Sequence, residues 1–218
     1  MKRIINQVLA VLVLFGLSQT VMAKEDPKIH MEEVTKQISA EILSNKERIK
    51  TDSEYAKGLI EQYLLPEVDT EYMAKRILGR QYWEESTEAQ RKTFIQEFIS
   101  LLLNSYAKGL ANYDGQPITY EETQYSTSGN TANVRSVIIP QEGEPILIDY
   151  RLKYGSDDKW LVTDVIIEGV SMAKSYATQY RERIAQVGIE ATLKELAEEN
   201  KKAKSATEIS DEAPNEKS

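Results

Sequence analysis

Apolar positions change their spacing twice along this chain, and the changes divide it into helix, sheet and helix. Behind Asp26-Pro27, a pair that opens a helix with proline in its first turn, Met31, Val34, Ile38, Ile42 and Ile49 keep one helical stripe. Thr51-Asp52-Ser53 punctuates it. Tyr55, Leu59 and Tyr63 follow at four-residue spacing until Pro66 stops the run. Asp69 is placed to cap a short helix that carries Met73 and Ile77 and is closed by Gly79. Thr87 opens the longest helix, with Gln90 as its capping-box partner. Phe94, Phe98, Leu102, Tyr106, Leu110 and Tyr113 run down one side of it, and Ile95, Ile99 and Leu103 widen the apolar face. A helix so broadly apolar is expected to be sandwiched between layers. Asp114-Gly115 ends it.

From there the period is two. Four runs read as strands, at about 117–125, 131–140, 145–154 and 159–168. Ser128-Gly129-Asn130, Gln141-Glu142-Gly143 and Gly155-Ser156-Asp157 separate them as hairpin loops. In the third run Ile146, Ile148, Tyr150, Leu152 and Tyr154 share one face, and Leu147, Asp149, Arg151 and Lys153 the other. That is the pattern of an antiparallel meander with one covered face and one wet face. The fourth run is apolar on both faces, so alternation alone leaves its inward parity open. Gly169 ends the sheet, and helix returns with Ala173, Ala177, Tyr180, Ile184 and Val187 on its buried side. Gly188 breaks that helix, and Ile189, Leu193 and Leu196 mark a short final one. The order is that of an α+β domain with a four-stranded antiparallel sheet between N-terminal and C-terminal helices.

The two ends follow other rules. Lys2 and Arg3 precede an apolar run from Val8 to Leu17, and Val21-Met22-Ala23 offers a cleavage site before the polar sequence at Lys24. This is the layout of a cleaved signal peptide at 1–23, with an apolar stretch short for a membrane span and no cysteine behind it for a lipid anchor. A soluble domain at 24–203 is expected on the far side of the membrane. From Glu198 onward Ile209 is the lone large apolar residue, and 204–218 reads as a disordered tail.

Charge and composition then narrow the partners. Without Lys2 and Arg3, 25 of the 27 basic residues face 35 acidic ones, a formal charge of −10. That disfavours nucleic acid, whose binding rests on Lys and Arg against phosphates, and passive adhesion to anionic membranes. There is no cysteine, so neither disulfide nor thiolate chemistry is available. His30 is the one histidine, which excludes a metal centre built on His and Cys.

Chemistry-bearing motifs are sparse. Gly169-Val170-Ser171-Met172-Ala173 has the strand-to-helix setting of a nucleophile elbow but lacks its last glycine, and His30 is its sole possible base. A helix-capping role for Ser171 is the simpler reading. Glu84/Glu85, Glu121/Glu122, Glu142/Glu144 and Asp157/Asp158 fall mostly in expected turns and read as solvated surface. Asp149 and Asp164 lie within strands and are the carboxylates worth following. The twelve tyrosines suit either the mouth of a greasy cavity or an ordinary core edge.

Three stretches carry a resemblance. They are Leu64-Leu65-Pro66-Glu67-Val68-Asp69 with Met73-Ala74, Leu78-Gly79 and Tyr82-Trp83; Ser86-Thr87-Glu88-Ala89-Gln90-Arg91 with Phe94, Phe98, Leu102 and Tyr106 behind it; and Trp160, Asp164 and Glu168-Gly169-Val170-Ser171-Met172, closing with Gly188-Ile189 and Leu193. In this order and spacing, over roughly 28–200, the chain resembles the MlaC family, also called the toluene-tolerance family, of periplasmic phospholipid-binding proteins. Many members carry an arginine after the tyrosine matching Tyr176, where this chain has Ala177.

The resemblance implies a curved, NTF2-like sheet packed with helices around an apolar cavity that holds a phospholipid by its acyl tails. It implies a carrier in the periplasm that exchanges lipid with an inner-membrane MCE-domain ABC transporter complex and an outer-membrane lipoprotein–porin complex. The phospholipid is cargo, and no cofactor, metal or catalytic residue is implied. The expected lining is Phe98, Leu102 and Tyr106 opposite Ile138, Ile146, Ile148, Tyr150, Leu152, Val162 and Val165, with Val170 at the rim. Two acyl chains of roughly thirty methylenes involve on the order of 24 kcal/mol of burial, which demands a dry interior rather than a surface patch. Affinity from tails implies weak headgroup selectivity. Glutamate at Val170 or Leu152 is expected to empty the cavity of a protein that stays folded. Two other readings stand beside the carrier: an enzyme on the same scaffold with Asp149 or Asp164 as general base, and a periplasmic adaptor whose interior is filled by its own side chains.

Overall fold

The computed structural model describes residues 24–155 and 157–212; the expected signal segment 1–23 and residues 213–218 lie outside the described residues. Helix α1, Pro27–Ser44, starts where Asp26 accepts a hydrogen bond from the Lys28 N–H at 2.9 Å, and buries Met31, Val34, Ile38 and Ile42. The chain bends at Asn45, so the stripe continues as a separate α2, Lys46–Thr51. Asp52 caps α3, Ser53–Leu59, which runs on as a π-helical turn, Ile60–Leu64, and a 3-10 turn, Leu65–Glu67. Helix α5, Glu88–Tyr106, opens with the expected Thr87–Gln90 capping box and tightens into a 3-10 segment, Ala107–Asn112.

Helix α4, Thr70–Glu85, does not stop at Gly79 as expected. Gly79 takes φ 76° and ψ 167°, and the helix resumes beyond it. The Arg181 guanidinium fills the break, its Nε donating to the Ile77 carbonyl at 2.9 Å and its terminal nitrogen to that of Arg76. A Cβ on Gly79 would meet that guanidinium at 2.9 Å. Gly79→Ala therefore combines a positive φ with displacement of a paired arginine. We expect a loss of about 2 kcal/mol, read as a Tm lower by about 6 °C in thermal unfolding.

The sheet has six strands rather than four. They are β1, Ile118–Tyr120; β2, Gln124–Tyr125; β3, Thr131–Ile138; β4, Ile146–Tyr154; β5, Trp160–Ile167; and β6, Val170–Ser171. All pairings between them are antiparallel, in the order β1-β3-β4-β5-β6, with β2 also on β3. The expected first strand is divided between β1 and β2. The added β6 is the return of the chain through the Glu168-Gly169 turn, with Gly169 at φ 79°. Helices α6, Met172–Val187, and α7, Ile189–Glu212, complete the chain. Helix α7 runs 24 residues, well past the short helix expected, and carries the backbone of the expected tail in helical form to Glu212.

Three apolar clusters hold these elements. Helices α4 to α7 enclose Ile77, Leu78, Phe94, Phe98, Tyr180, Ile184, Leu193 and Leu196. The sheet packs Ala132, Val134, Leu152, Trp160 and Val162 against Met31 of α1. Ile38, Ile42, Ile49, Ala56, Leu59 and Ala107 join the N-terminal helices to the end of α5. Val68 packs against both the first and second clusters and makes a parallel bridge to Val162, which ties the helical layer to the sheet. In the first cluster the hydroxyl of Tyr180 is buried and finds no partner among the described residues. Tyr180→Phe keeps the ring contacts with Phe94 and Phe98 and removes that unpaired group. We expect it to stabilise the fold by about 1 kcal/mol, measured by denaturant unfolding.

Candidate functional site

Directly paired residues of an antiparallel sheet point to the same face, so the register assigns the inner face. Ala132 pairs with Leu152, Val134 with Tyr150, Ser136 with Ile148 and Ile138 with Ile146. Ile118 and Tyr120 join them through Ile138 and Ser136. On β5 the register shifts at Arg151/Leu152: Leu152 faces Val162 while Arg151 faces Asp164, leaving Thr163 as the extra residue. This bulge settles the parity that alternation left open. It puts Val162, Val165 and Ile167 all on the inner face, although Val162 and Val165 are three residues apart. Val170 joins through its pairing with Ile167.

This face is graded from closed to open. At the β3 start Val134, Leu152 and Val162 are buried under Met31 of α1. At the other end Ile118, Ile138, Ile148 and Ile167 are half-buried, Ile146 is 38% exposed and Val170 57%. These six side chains form an aliphatic belt with solvent on one side. A protein gains by covering such surface, at about 25 cal/mol per Å² of apolar area.

The polar groups on the face are paired with one another or with α1. Ser136 donates to the Tyr150 hydroxyl at 3.3 Å. The Tyr120 hydroxyl meets Thr35 Oγ1 at 2.5 Å and donates to the Met31 carbonyl at 3.4 Å. Burial pushes both tyrosine hydroxyls up from their ordinary range, so the face stays uncharged.

The eleven residues expected to line the cavity are divided. Ile138, Ile146, Ile148, Tyr150, Leu152, Val162, Val165 and Val170 share the inner face. Phe98 is placed elsewhere: it is 4% exposed within the helical cluster, edge-on to Tyr176 at 4.8 Å between centroids, and Leu102 packs on that same cluster. The breadth of the α5 apolar face allows either orientation, and the aromatic partners on α6 take Phe98. Tyr106, 45% exposed, ends α5. Alternation missed Ile118, Tyr120 and Ile167, because strand pairing had to be known first. Leu152 is 1% exposed, so glutamate there is expected to unfold the sheet cluster and not merely to empty a cavity.

Neither carboxylate considered as a base faces this side. Asp149 is on the outer face, held by Arg135 at 2.8 and 3.0 Å and by Asn133 at 3.1 Å, and hydrogen bonding to Arg135 lowers its pKa. Asp164 is fully buried; it accepts from Ser171 Oγ at 2.7 Å and the Ala173 N–H at 3.1 Å. Ser171 also caps α6 through the Lys174 N–H. His30 lies against Glu67 at 2.5 Å. The serine is thus engaged with Asp164 and the helix end, as a cap. A groove of about 560 Å³ between α5 and α7 mixes Leu103 and Ala197 with Lys57, Glu97, Asn104, Asn200 and Lys201, and so lacks the continuous aliphatic surface of the inner sheet face.

A family model described as MlaC protein matches residues 32–198. The chain belongs to the MlaC family. Over 188 residues it is 30% identical to the intermembrane phospholipid transport system binding protein MlaC of Haemophilus influenzae, covering 85% of this chain and 87% of that protein. It is 25% identical to the toluene tolerance protein ttg2D of Pseudomonas putida over 193 residues, 88% of this chain and 89% of the relative. The fold is shared with a phospholipid-binding protein from Ralstonia solanacearum solved in complex with a phospholipid. The TM-score is 0.76 at 24% identity, over 82% of this chain and 99% of that one. The matched span of the MlaC model contains every inner-face residue named above, from Ile118 to Val170.

Proposed function

We propose that this protein is a periplasmic phospholipid carrier. The acyl tails lie along the inner sheet face in an NTF2-like cavity, and the lipid enters past Ile146 and Val170. The observation that carries this reading is the aliphatic belt, which is continuous with a buried apolar interior at one end and meets solvent at the other. The name of the Haemophilus relative, and the phospholipid in the Ralstonia structure, point the same way. The lipid-contacting set is Ile138, Ile146, Ile148, Tyr150, Leu152, Val162, Val165 and Val170. Phe98 and Leu102 belong to the helical cluster instead. Among the described residues no helix is long and apolar enough to cross a membrane. The carrier exchanges its cargo with an inner-membrane MCE-domain transporter and an outer-membrane lipoprotein–porin complex.

Mass spectrometry of the purified mature protein, native and after organic extraction, tests this. Phospholipid in stoichiometric amount, with headgroups in the proportions of the host membrane, is the expected result, because the tails supply the affinity. A lipid-free protein that takes up no labelled phospholipid from vesicles would make it a protein-binding adaptor instead.

A further inference from the structure

Arg76 of α4 and Arg151 of β4 reach the same oxygen of one carboxylate, Asp164 Oδ2, at 3.4 and 3.5 Å. That carboxylate is already engaged at shorter range: Ser171 donates to the same oxygen at 2.7 Å, and the Ala173 N–H to the other at 3.1 Å. Arg76 also donates to the Thr163 carbonyl at 3.3 Å. Two guanidinium groups therefore share a saturated, fully buried acceptor, while their side chains are 33% and 54% exposed. Lys153, two residues along the same face of β4, lies over the Tyr72 ring at 5.0 Å, one turn of α4 before Arg76. The carboxylate is turned inward and the cations outward, so the cleft between α4 and the outer sheet face presents positive charge in a chain of net charge −8.

We propose that Arg76 and Arg151, supported by Lys153, form a binding site for a phosphate group. Planar guanidinium groups suit the tetrahedral oxyanion, giving paired charge-assisted hydrogen bonds from two directions. Its place in the fold suggests the source. Ser171, which fastens this cluster, follows Val170 on the short edge strand β6, and consecutive strand residues point to opposite faces. The apolar belt thus reaches the β6 edge on one face, and the cationic cleft lies around that edge on the opposite face, with β5 between β6 and the strand that carries Arg151. A phospholipid passing Val170 brings its phosphate to that edge, and the site holds the headgroup phosphate during transfer. Such a contact is common to all phospholipids and leaves the choice among headgroups free. This use rests on the carrier reading; the anion site itself does not.

The test has separate arms. Pyrophosphate is titrated into the mature protein while the arginine side-chain signals are followed by NMR, in the wild type, Arg151→Gln and Arg76→Gln. Transfer of labelled phospholipid from vesicles of phosphatidylcholine, with and without phosphatidylglycerol, is then timed for the same proteins. Arg151→Gln is the cleaner variant, because its side chain is largely exposed; Arg76 also bonds the backbone of β5. The expected result is a saturable shift in the wild type that Arg151→Gln abolishes, with transfer slowed about tenfold at unchanged Tm. Pyrophosphate binding with transfer unaffected would keep the anion site and assign it to free phosphate, overturning the headgroup role. No arginine shift with pyrophosphate, or a response to a polyglutamate peptide alone, overturns the proposal. Wild-type transfer that is absent from the start fails the carrier reading, independently of the arginines.

Discussion

Val170→Glu empties the carrier while leaving its fold intact: that is the expected result of the most direct substitution at the rim. Val170 is 57% exposed on the two-residue strand β6, so a glutamate there keeps its hydration in the empty protein. Surface changes of this kind shift stability by about 0.5 kcal/mol or less, and Tm should stay within about 2 °C. With cargo present the same carboxylate lies beside Ile167, whose partner on β4 is Ile148, against hydrocarbon, where an unpaired charge is costly. Co-purifying phospholipid should fall about tenfold or more, measured by mass spectrometry against the wild type. A normal lipid load in a folded Val170→Glu protein would remove the tails from this rim. Leu152→Glu makes the contrast. Its 1% exposure among Ala132, Val134 and Val162 predicts loss of the fold itself.

The second large effect concerns the corner where β5, β6, α4 and α6 meet. Asp164→Ala removes the acceptor for Ser171 and for the Ala173 N–H, and leaves Arg76 and Arg151 facing each other without their shared counter-charge. Breaking a buried charged network by deleting one partner costs about 3 kcal/mol or more, because the remaining groups are left unpaired. Thermal unfolding should show a Tm lower by about 9 °C. Asp164→Asn, which keeps one carbonyl oxygen for the Ala173 N–H, should lose less. Had Asp164 been a general base, the asparagine variant would abolish an activity at little cost in stability; the geometry predicts the reverse.

Much of the fold was legible because local rules and tertiary packing agree along it. Asp69 and Thr87 accept the backbone hydrogen bonds expected of them, and Asp26 and Asp52, read as a helix start and a break, cap their helices in the same way. The alternation of β4 named the inner face through Ile146, Ile148, Tyr150 and Leu152. Disagreements arose where a long-range partner replaced a local signal. Gly79 reads as a helix end, yet Arg181, about a hundred residues later, satisfies the freed carbonyls and lets the helix resume. Phe98 reads as one side of a symmetrical apolar helix, and only the tyrosines of α6 decide which side it serves.

The class of fold, the order of its elements, the covered face of β4 and, through three spaced motifs, the family can all be read along the chain. These depend on periodicity, capping and residue order, which are properties of neighbouring positions. The parity of β5 comes from strand pairing, through one extra residue at Thr163 that no alternation can reveal. Packing between layers makes the inner face buried at one end and open at the other, and makes Asp164 a structural anchor for Ser171 and the Ala173 N–H. The same packing brings Arg76 and Arg151, 75 positions apart in the chain, onto one carboxylate. Each of these follows from which strand or helix lies beside which. Pairing across the sheet sets that, and hydrophobicity along the chain does not encode it.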